Sequence, residues 1–128
     1  MFDVMKNNLE DRLIDFAVSV GKLSGNLLKC SFSTHLYKQL MRSASAAPLN
    51  YAESQSSESI RDFVHKLFIA LKELQETKVN LKILFRSDLI DDIGFANRLL
   101  DENRQLINII SKSITTAKSN NPKVFSEK

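Results

Sequence analysis

The sequence predicts an all-α protein, an antiparallel up-and-down bundle of four helices. Only three Gly and two Pro occur in 128 residues, which disfavours a β architecture with many tight turns. Four stretches repeat apolar residues in alternating steps of four and three, the spacing of a helix that buries one face. Helices joined by short connections pack as antiparallel neighbours. One domain over residues 1–118 is expected, because the chain is long enough for one core and too short for two.

The first helix is expected over residues 8–27. Gly21 and Gly25 lower its helix propensity, so it should end or fray near Gly25. Its apolar seam comprises Leu9, Leu13, Phe16, Val20, Leu23 and Leu27.

The second helix is expected over residues 34–53, with Ser33 or Thr34 as its N-cap. Pro48 lies inside it, lacks an N–H donor and crowds the carbonyl four residues earlier, which predicts a kink. The side chains expected in the core are small or of medium size: Leu36, Leu40, Met41, Ala44 and Ala47.

The third helix is expected over residues 57–86, with Ser56 or Ser57 as its N-cap. Its seam is broken only at Lys78 and comprises Ile60, Val64, Leu67, Leu71, Leu74, Leu81 and Phe85. Four further apolar residues lie off this seam: Phe68, Ile69, Val79 and Ile83. They would leave an exposed apolar patch on a monomer, and such patches mark interfaces, so we expect a homo-oligomer.

The fourth helix is expected over residues 91–118, with Asp91 and Asp92 suited to its N-terminus. Asn103 interrupts its seam, which comprises Ile93, Ala96, Leu100, Ile107, Ile110, Ile114 and Ala117. The tail over residues 119–128 is expected to be disordered.

Composition also limits the cellular locations in which this protein is expected. No apolar run approaches the ~20 residues that a membrane span needs, and the polar N-terminus does not resemble a signal peptide. The single cysteine, Cys30, has no internal disulfide partner, which fits a reducing compartment. A soluble cytoplasmic protein without a membrane partner is therefore expected.

The formal charge is +3, and its distribution is uneven. Residues 36–86 contain eight basic and five acidic side chains, whereas the flanking segments are balanced. The cations that could contact phosphates are Lys38, Arg42, Lys78, Lys82 and Arg86. The last three equally suit the negative C-terminal end of a helix dipole, so both interpretations stay open.

The sequence offers no constellation typical of an enzyme. Asp62 precedes His65 by three residues, as in half of a di-metal bundle site, but His35 lacks a matching carboxylate. Arg61 and His65 are closer than the spacing in helical ribonucleases of the HEPN class. No Gly-rich phosphate loop is present. We therefore expect no catalysis, no metal and no cofactor.

Polar residues concentrate around the connection between the second and third helices. The set comprises Arg42, Asn50, Glu53, Ser59, Asp62, Glu73 and Glu76. We interpret them as one structural network that fixes the register of the two helices. A ligand-binding carboxylate cluster is the alternative.

Four short motifs carry a family resemblance: QLMRS (39–43), NYAE (50–53), SIRDF (59–63) and IALKELQET (69–77). With these motifs the chain resembles the bacterial four-helix bundle proteins named after reading frames inside 23S rRNA intervening sequences. The family usually has Gly after the Ala-Glu pair, where this chain has Ser54, so the turn geometry here could differ.

The resemblance, which spans roughly residues 10–115, implies a ring-shaped homopentamer. One relative, the accessory protein of diversity-generating retroelements, binds nucleic acid and a reverse transcriptase. A non-enzymatic, nucleic-acid-associated oligomer is therefore the expected function, by analogy. The alternative is a protein-interaction scaffold without nucleic-acid binding.

Overall fold

Four long helices form the fold. The structure is a computed structural model that describes residues 2–126, with side chains from residue 8 onward. The helices are α1 (Phe2–Gly21), α2 (Ser31–Gln55), α3 (Ile60–Arg86) and α4 (Ile93–Asn120), followed by the short α5 (Pro122–Phe125). The predicted all-α class is confirmed.

Neighbouring helices run antiparallel. Along α2 and α3, Ser43 contacts Thr77 while Glu53, further along α2, contacts Lys66, which lies earlier in α3. Helix α1 packs on α2 and α4, and α3 packs on the same two helices. Consequently α1 and α3 lie on opposite corners of the bundle.

The core follows the predicted seams closely. Its largest fully buried apolar side chains are Leu13, Val20, Leu23, Leu40, Leu67, Leu74, Leu81, Leu84, Leu106 and Ile110. Leu99 and Leu106 are buried although the predicted seam omitted them, because they widen the stripe of α4. Ile93 was predicted to be buried and is 46% exposed, since it is the first residue of α4 and lies at the rim of the bundle.

Helix α1 and the start of α2 differ from the prediction in their boundaries. The α-helix ends at Gly21 and continues as a 3₁₀ turn over Lys22–Asn26. Helix α2 begins at Ser31, three residues early, because Cys30 is its N-cap. Cys30 Sγ accepts from the Ser33 N–H at 3.5 Å, and Ser33 Oγ accepts from the Cys30 N–H at 3.1 Å. This reciprocal arrangement is a capping box with a thiol in place of a hydroxyl.

Among the other predicted helix ends, α1 begins six residues early, at Phe2, and α3 ends at Arg86 as predicted. The remaining ends shift by two or three residues. Helix α2 continues uninterrupted through Pro48 to Gln55. Ser59, and not Ser56 or Ser57, is the N-cap of α3, and its hydroxyl accepts from the Asp62 N–H at 3.0 Å. Helix α4 begins after Asp92, whose carboxylate caps the Phe95 N–H at 3.0 Å.

The two connections at one end of the bundle pair with each other. The Leu28 N–H donates to the Leu89 carbonyl at 2.9 Å, and the Asp91 N–H donates to the Asn26 carbonyl at 2.8 Å. These bonds flank an isolated antiparallel bridge between Leu27 and Ile90. These hydrogen bonds hold the α1–α2 connection against the α3–α4 connection.

The segment after residue 118 is largely helical in the structure, where the sequence predicted a disordered tail. Helix α4 extends to Asn120, and α5 folds back toward the start of α3. There Arg61 Nη2 donates to the Val124 carbonyl at 2.7 Å, and the Arg61 guanidinium lies 5.9 Å from the Phe125 ring centroid. The half-buried Phe125 packs against the core, which supplies the apolar contact that a solvated tail would lack.

Candidate nucleic-acid interface

Arg42 is engaged by two carboxylates of α3. Its Nη2 lies 2.6 Å from Glu76 Oε1, and its Nη1 lies 3.3 Å from Glu73 Oε1. The Glu73 side chain is only 14% exposed, so the guanidinium is the neighbouring charge that compensates a largely buried carboxylate. Of the two roles predicted for Arg42, the structure places it in the polar contact between helices.

The predicted single polar network is wrong. Glu53 pairs instead with Lys66, at 2.7 Å, and this contact raises the pKa of Lys66. Asn50 Nδ2 donates to the Ala46 carbonyl of its own helix, and Ser59 caps α3. Arg42 and Glu53 are eleven residues apart on one helix, about 16 Å, which is too far for a shared contact.

A buried hydrogen bond that was not predicted lies between α2 and α3. Ser43 Oγ and Thr77 Oγ1 are 2.7 Å apart, and both residues are fully buried. The run of small residues from Ser43 to Ala47 allows the close approach. A serine on the buried face of that run was the signal available in the sequence.

The groove between α2 and α3 is polar and mixed in charge. Its volume is about 540 Å³. The lining residues are Gln39, Arg42, Lys72, Gln75, Glu76, Val79 and Asn80. Because two carboxylates compensate the Arg42 charge there, this groove is poorly suited to bind a polyanion such as nucleic acid.

Lys78 and Lys82 lie on the other flank of α3. At 3.6 residues per turn, Lys78 is about 200° around the helix from Glu76, so it faces the α4 side. Both lysines are half-buried, and Arg86, one turn further, is exposed. Among residues 8–126, no carboxylate pairs with any of these three cations. Lys38 is exposed on α2, one turn before Arg42.

Helix α4 contributes further cations that were not among the predicted phosphate contacts. It contains four basic residues against two acidic ones, and α3 contains six against three. Arg104 and Lys112 are exposed, and the Lys118 ammonium lies 5.0 Å from the Phe68 ring centroid. Helix α1, at the corner opposite α3, contains four acidic residues and two basic ones. The bundle therefore has a basic side formed by α3 and α4.

The residues predicted as an oligomer interface are partly solvent-accessible. Phe68 is 43% exposed, Val79 is 53% exposed and Ile83 is 38% exposed, whereas Ile69 is half-buried. Three of these four side chains therefore present apolar surface outward on α3.

The sequence also raised metal binding and catalysis, through residues such as His35, His65 and Arg61. Within residues 8–126, no group of three His, Cys, Asp or Glu side chains could hold a metal ion. His35 and His65 are exposed, and Arg61 bonds the C-terminal segment. The Ser33 backbone N–H donates to the Cys30 sulfur, which lowers the pKa of this thiol. In the described part of the chain, no helix is long and apolar enough to span a bilayer.

Two comparisons with known proteins return matches. The family profile described as 23S rRNA-intervening sequence protein matches residues 6–112. A crystal structure of a protein of unknown function from the S23 ribosomal protein family of Bacteroides thetaiotaomicron superposes with a TM-score of 0.73. The two sequences are 26% identical, and the match covers 83% of this chain and 97% of that one. No curated protein gives a significant match.

Proposed function

The chain belongs to the 23S rRNA-intervening sequence protein family, and we propose that it is a non-enzymatic, homo-oligomeric bundle that associates with RNA or DNA. The observation that carries the proposal is the basic side formed by α3 and α4. Lys78, Lys82 and Arg86 contribute cations that no carboxylate of residues 8–126 pairs with. The family name links its members to ribosomal RNA genes, and nucleic acid is the class of ligand that this link supports.

The physical basis is release of counterions from phosphates. Each lysine or arginine that neutralises a phosphate releases a condensed ion, so affinity depends on the number of such contacts and on salt. One chain offers few contacts, and an oligomer repeats them. The homopentamer implied by the resemblance would present five copies of the basic side.

The affinity of this protein for nucleic acid should depend little on the nucleotide sequence. Phosphate contacts position a protein on nucleic acid, whereas base contacts specify sequence. The cations on the α4 flank of α3 are Lys78 and Lys82, and α4 adds Arg104. Lys38 lies on α2, and the Arg42 charge is compensated, so both are secondary in this proposal.

The runner-up function is a protein-interaction scaffold in which the same cations only solvate the bundle. A reverse transcriptase is the protein partner that the resemblance implies, and a cytoplasmic location in a bacterium fits either function. A binding assay separates the two functions directly.

The test is charge reversal on the α4 flank of α3. The double variant Lys78→Glu/Lys82→Glu should bind single-stranded RNA and duplex DNA at least about tenfold more weakly at low salt, because two phosphate contacts become repulsive. The control Lys22→Glu/Lys29→Glu makes the same charge change at two exposed lysines near the α1–α2 connection, and it should bind like wild type. Equal loss in both variants would indicate a net-charge effect, and no loss in either would contradict the proposed face.

A further inference from the structure

At one end of the bundle, two aromatic rings lie beside two cations. The Lys118 ammonium lies 5.0 Å from the Phe68 ring centroid and 5.9 Å from the Phe125 ring centroid. The Arg61 guanidinium lies 5.9 Å from the same Phe125 centroid. The four side chains come from α3, α4 and α5, which meet where α3 begins and α4 ends. We call these four residues the aromatic–basic cluster.

The aromatic–basic cluster is open to solvent. Phe68 is 43% exposed, Arg61 and Lys118 are exposed, and Phe125 is half-buried against the core. Among residues 8–126, no carboxylate pairs with either cation. The rings attract the cations through their quadrupoles and carry no net charge, so both positive charges stay uncompensated. The cluster therefore offers aromatic surface and positive charge side by side.

We propose that the aromatic–basic cluster binds unpaired nucleotides of a nucleic-acid single strand. A base would stack on Phe68, while Arg61 and Lys118 would contact the flanking phosphates. Proteins hold single strands with cations and aromatic side chains in combination, and stacking tolerates any sequence because every base has a π face. In a duplex the bases are stacked on each other and are not free to stack on the ring. This inference rests on the nucleic-acid binding of the proposed function and adds the kind of strand.

The charges around Phe68 favour this ligand over an apolar protein surface. His65 and Lys72 lie one helical turn before and after Phe68 on α3, and both are exposed. Lys123 of α5 is exposed as well. An apolar partner would bury these polar groups without compensation, which is costly, whereas phosphates would neutralise the cations.

The cluster adds to the phosphate contacts that were proposed for α3. Ten residues separate Phe68 from Lys78 along the helix, about 15 Å, a distance that a strand of a few nucleotides spans. Lys118 and Phe125 lie beyond residues 6–112, which the family profile matches. The complete cluster is therefore a feature of this chain outside the matched region.

The test removes the ring of Phe68 and keeps an apolar side chain. Phe68→Leu should bind a single-stranded oligothymidylate of about 12 nucleotides roughly tenfold more weakly than wild type, because one stacked base is lost. Its affinity for duplex DNA of the same length should stay unchanged. The salt dependence should also stay unchanged, because no phosphate contact is removed. The matched control is Phe32→Leu, which changes a ring of α2 that is 49% exposed and should bind like wild type.

Two further measurements separate stacking from charge. An abasic strand of the same length retains the phosphates and lacks the bases, so wild type and Phe68→Leu should bind it equally. Lys118→Gln removes one cation, and its plot of the logarithm of affinity against the logarithm of salt concentration should be shallower by about 0.7 for the single strand.

Several results would overturn the proposal. They are an unchanged affinity of Phe68→Leu for oligothymidylate, an equal loss for single strand and duplex, and an equal loss in Phe32→Leu. Circular dichroism and sedimentation of Phe68→Leu should match wild type, and a lower mass would make Phe68 an interface residue instead. If Lys78→Glu/Lys82→Glu binds like wild type while Phe68→Leu loses the single strand, the cluster stands and the phosphate face of the proposed function fails.

Discussion

At the scale of the residue, Arg42 shows how much a side chain's role depends on its neighbours. The sequence suggested both a phosphate contact and a structural contact for it. The structure places it against Glu73 and Glu76 of the next helix. Spacing along α2 could not decide between these roles, because the deciding carboxylates lie more than thirty positions away in the sequence.

Two alanine variants test this assignment. Arg42→Ala leaves Glu73, which is 14% exposed, without its compensating cation, and should lower the free energy of unfolding by on the order of 1–3 kcal/mol. Glu53→Ala removes an ion pair whose carboxylate is 58% exposed and should cost less than about 1 kcal/mol. Urea unfolding of both variants measures the difference. If Glu53→Ala lowered the free energy of unfolding more than Arg42→Ala, this assignment would be wrong. The single polar network predicted from the sequence would then be favoured.

At the scale of the element, the helix seams could be predicted, whereas most helix ends could not. Alternating steps of four and three are a property of the whole stretch, so they locate α3 and α4 robustly. A cap depends on which of several adjacent side chains reaches a free N–H, and the sequence prediction chose Ser56 or Ser57 where the structure has Ser59. Cys30 was missed as a cap because thiols are not among the preferred N-cap residues.

The cap of α3 can be tested with matched serines. Ser59→Ala removes the hydroxyl that accepts from the Asp62 N–H and should cost about 1 kcal/mol of stability. Ser57→Ala removes only a 3.3 Å bond to the Glu53 carbonyl and should stay within about 0.5 kcal/mol of wild type. Thermal melts of the two variants make the comparison. The reverse order of melting temperatures would return the cap to the position predicted from the sequence.

At the scale of the whole molecule, charge separates between opposite corners of the bundle. Counting along the chain placed the excess on the second and third helices, because Asp88, Asp91 and Asp92 offset the cations of α4 in the same segment. Those three carboxylates precede α4 and belong to its connection with α3. The basic side is therefore a property of the helices α3 and α4 and not of a continuous segment of the sequence, so it depends on the helix boundaries.

The candidate site was therefore predicted in part. Lys78, Lys82 and Arg86 stay as candidates, since periodicity alone places them one turn apart. Arg42 becomes secondary, because carboxylates of the neighbouring helix compensate its charge. Arg104 is added, because it is exposed on α4, a helix with an excess of cations.

The most direct measurement is the equilibrium binding of the wild-type protein to single-stranded RNA and to duplex DNA across a salt series starting at ~50 mM. If the basic side of α3 and α4 binds phosphates, the logarithm of the association constant should fall linearly with the logarithm of the salt concentration. Oligonucleotides of different sequence should give similar slopes, and Lys78→Glu/Lys82→Glu should give a shallower one. Absence of binding at ~50 mM salt, where phosphate contacts are strongest, would contradict the proposed nucleic-acid association and favour the scaffold.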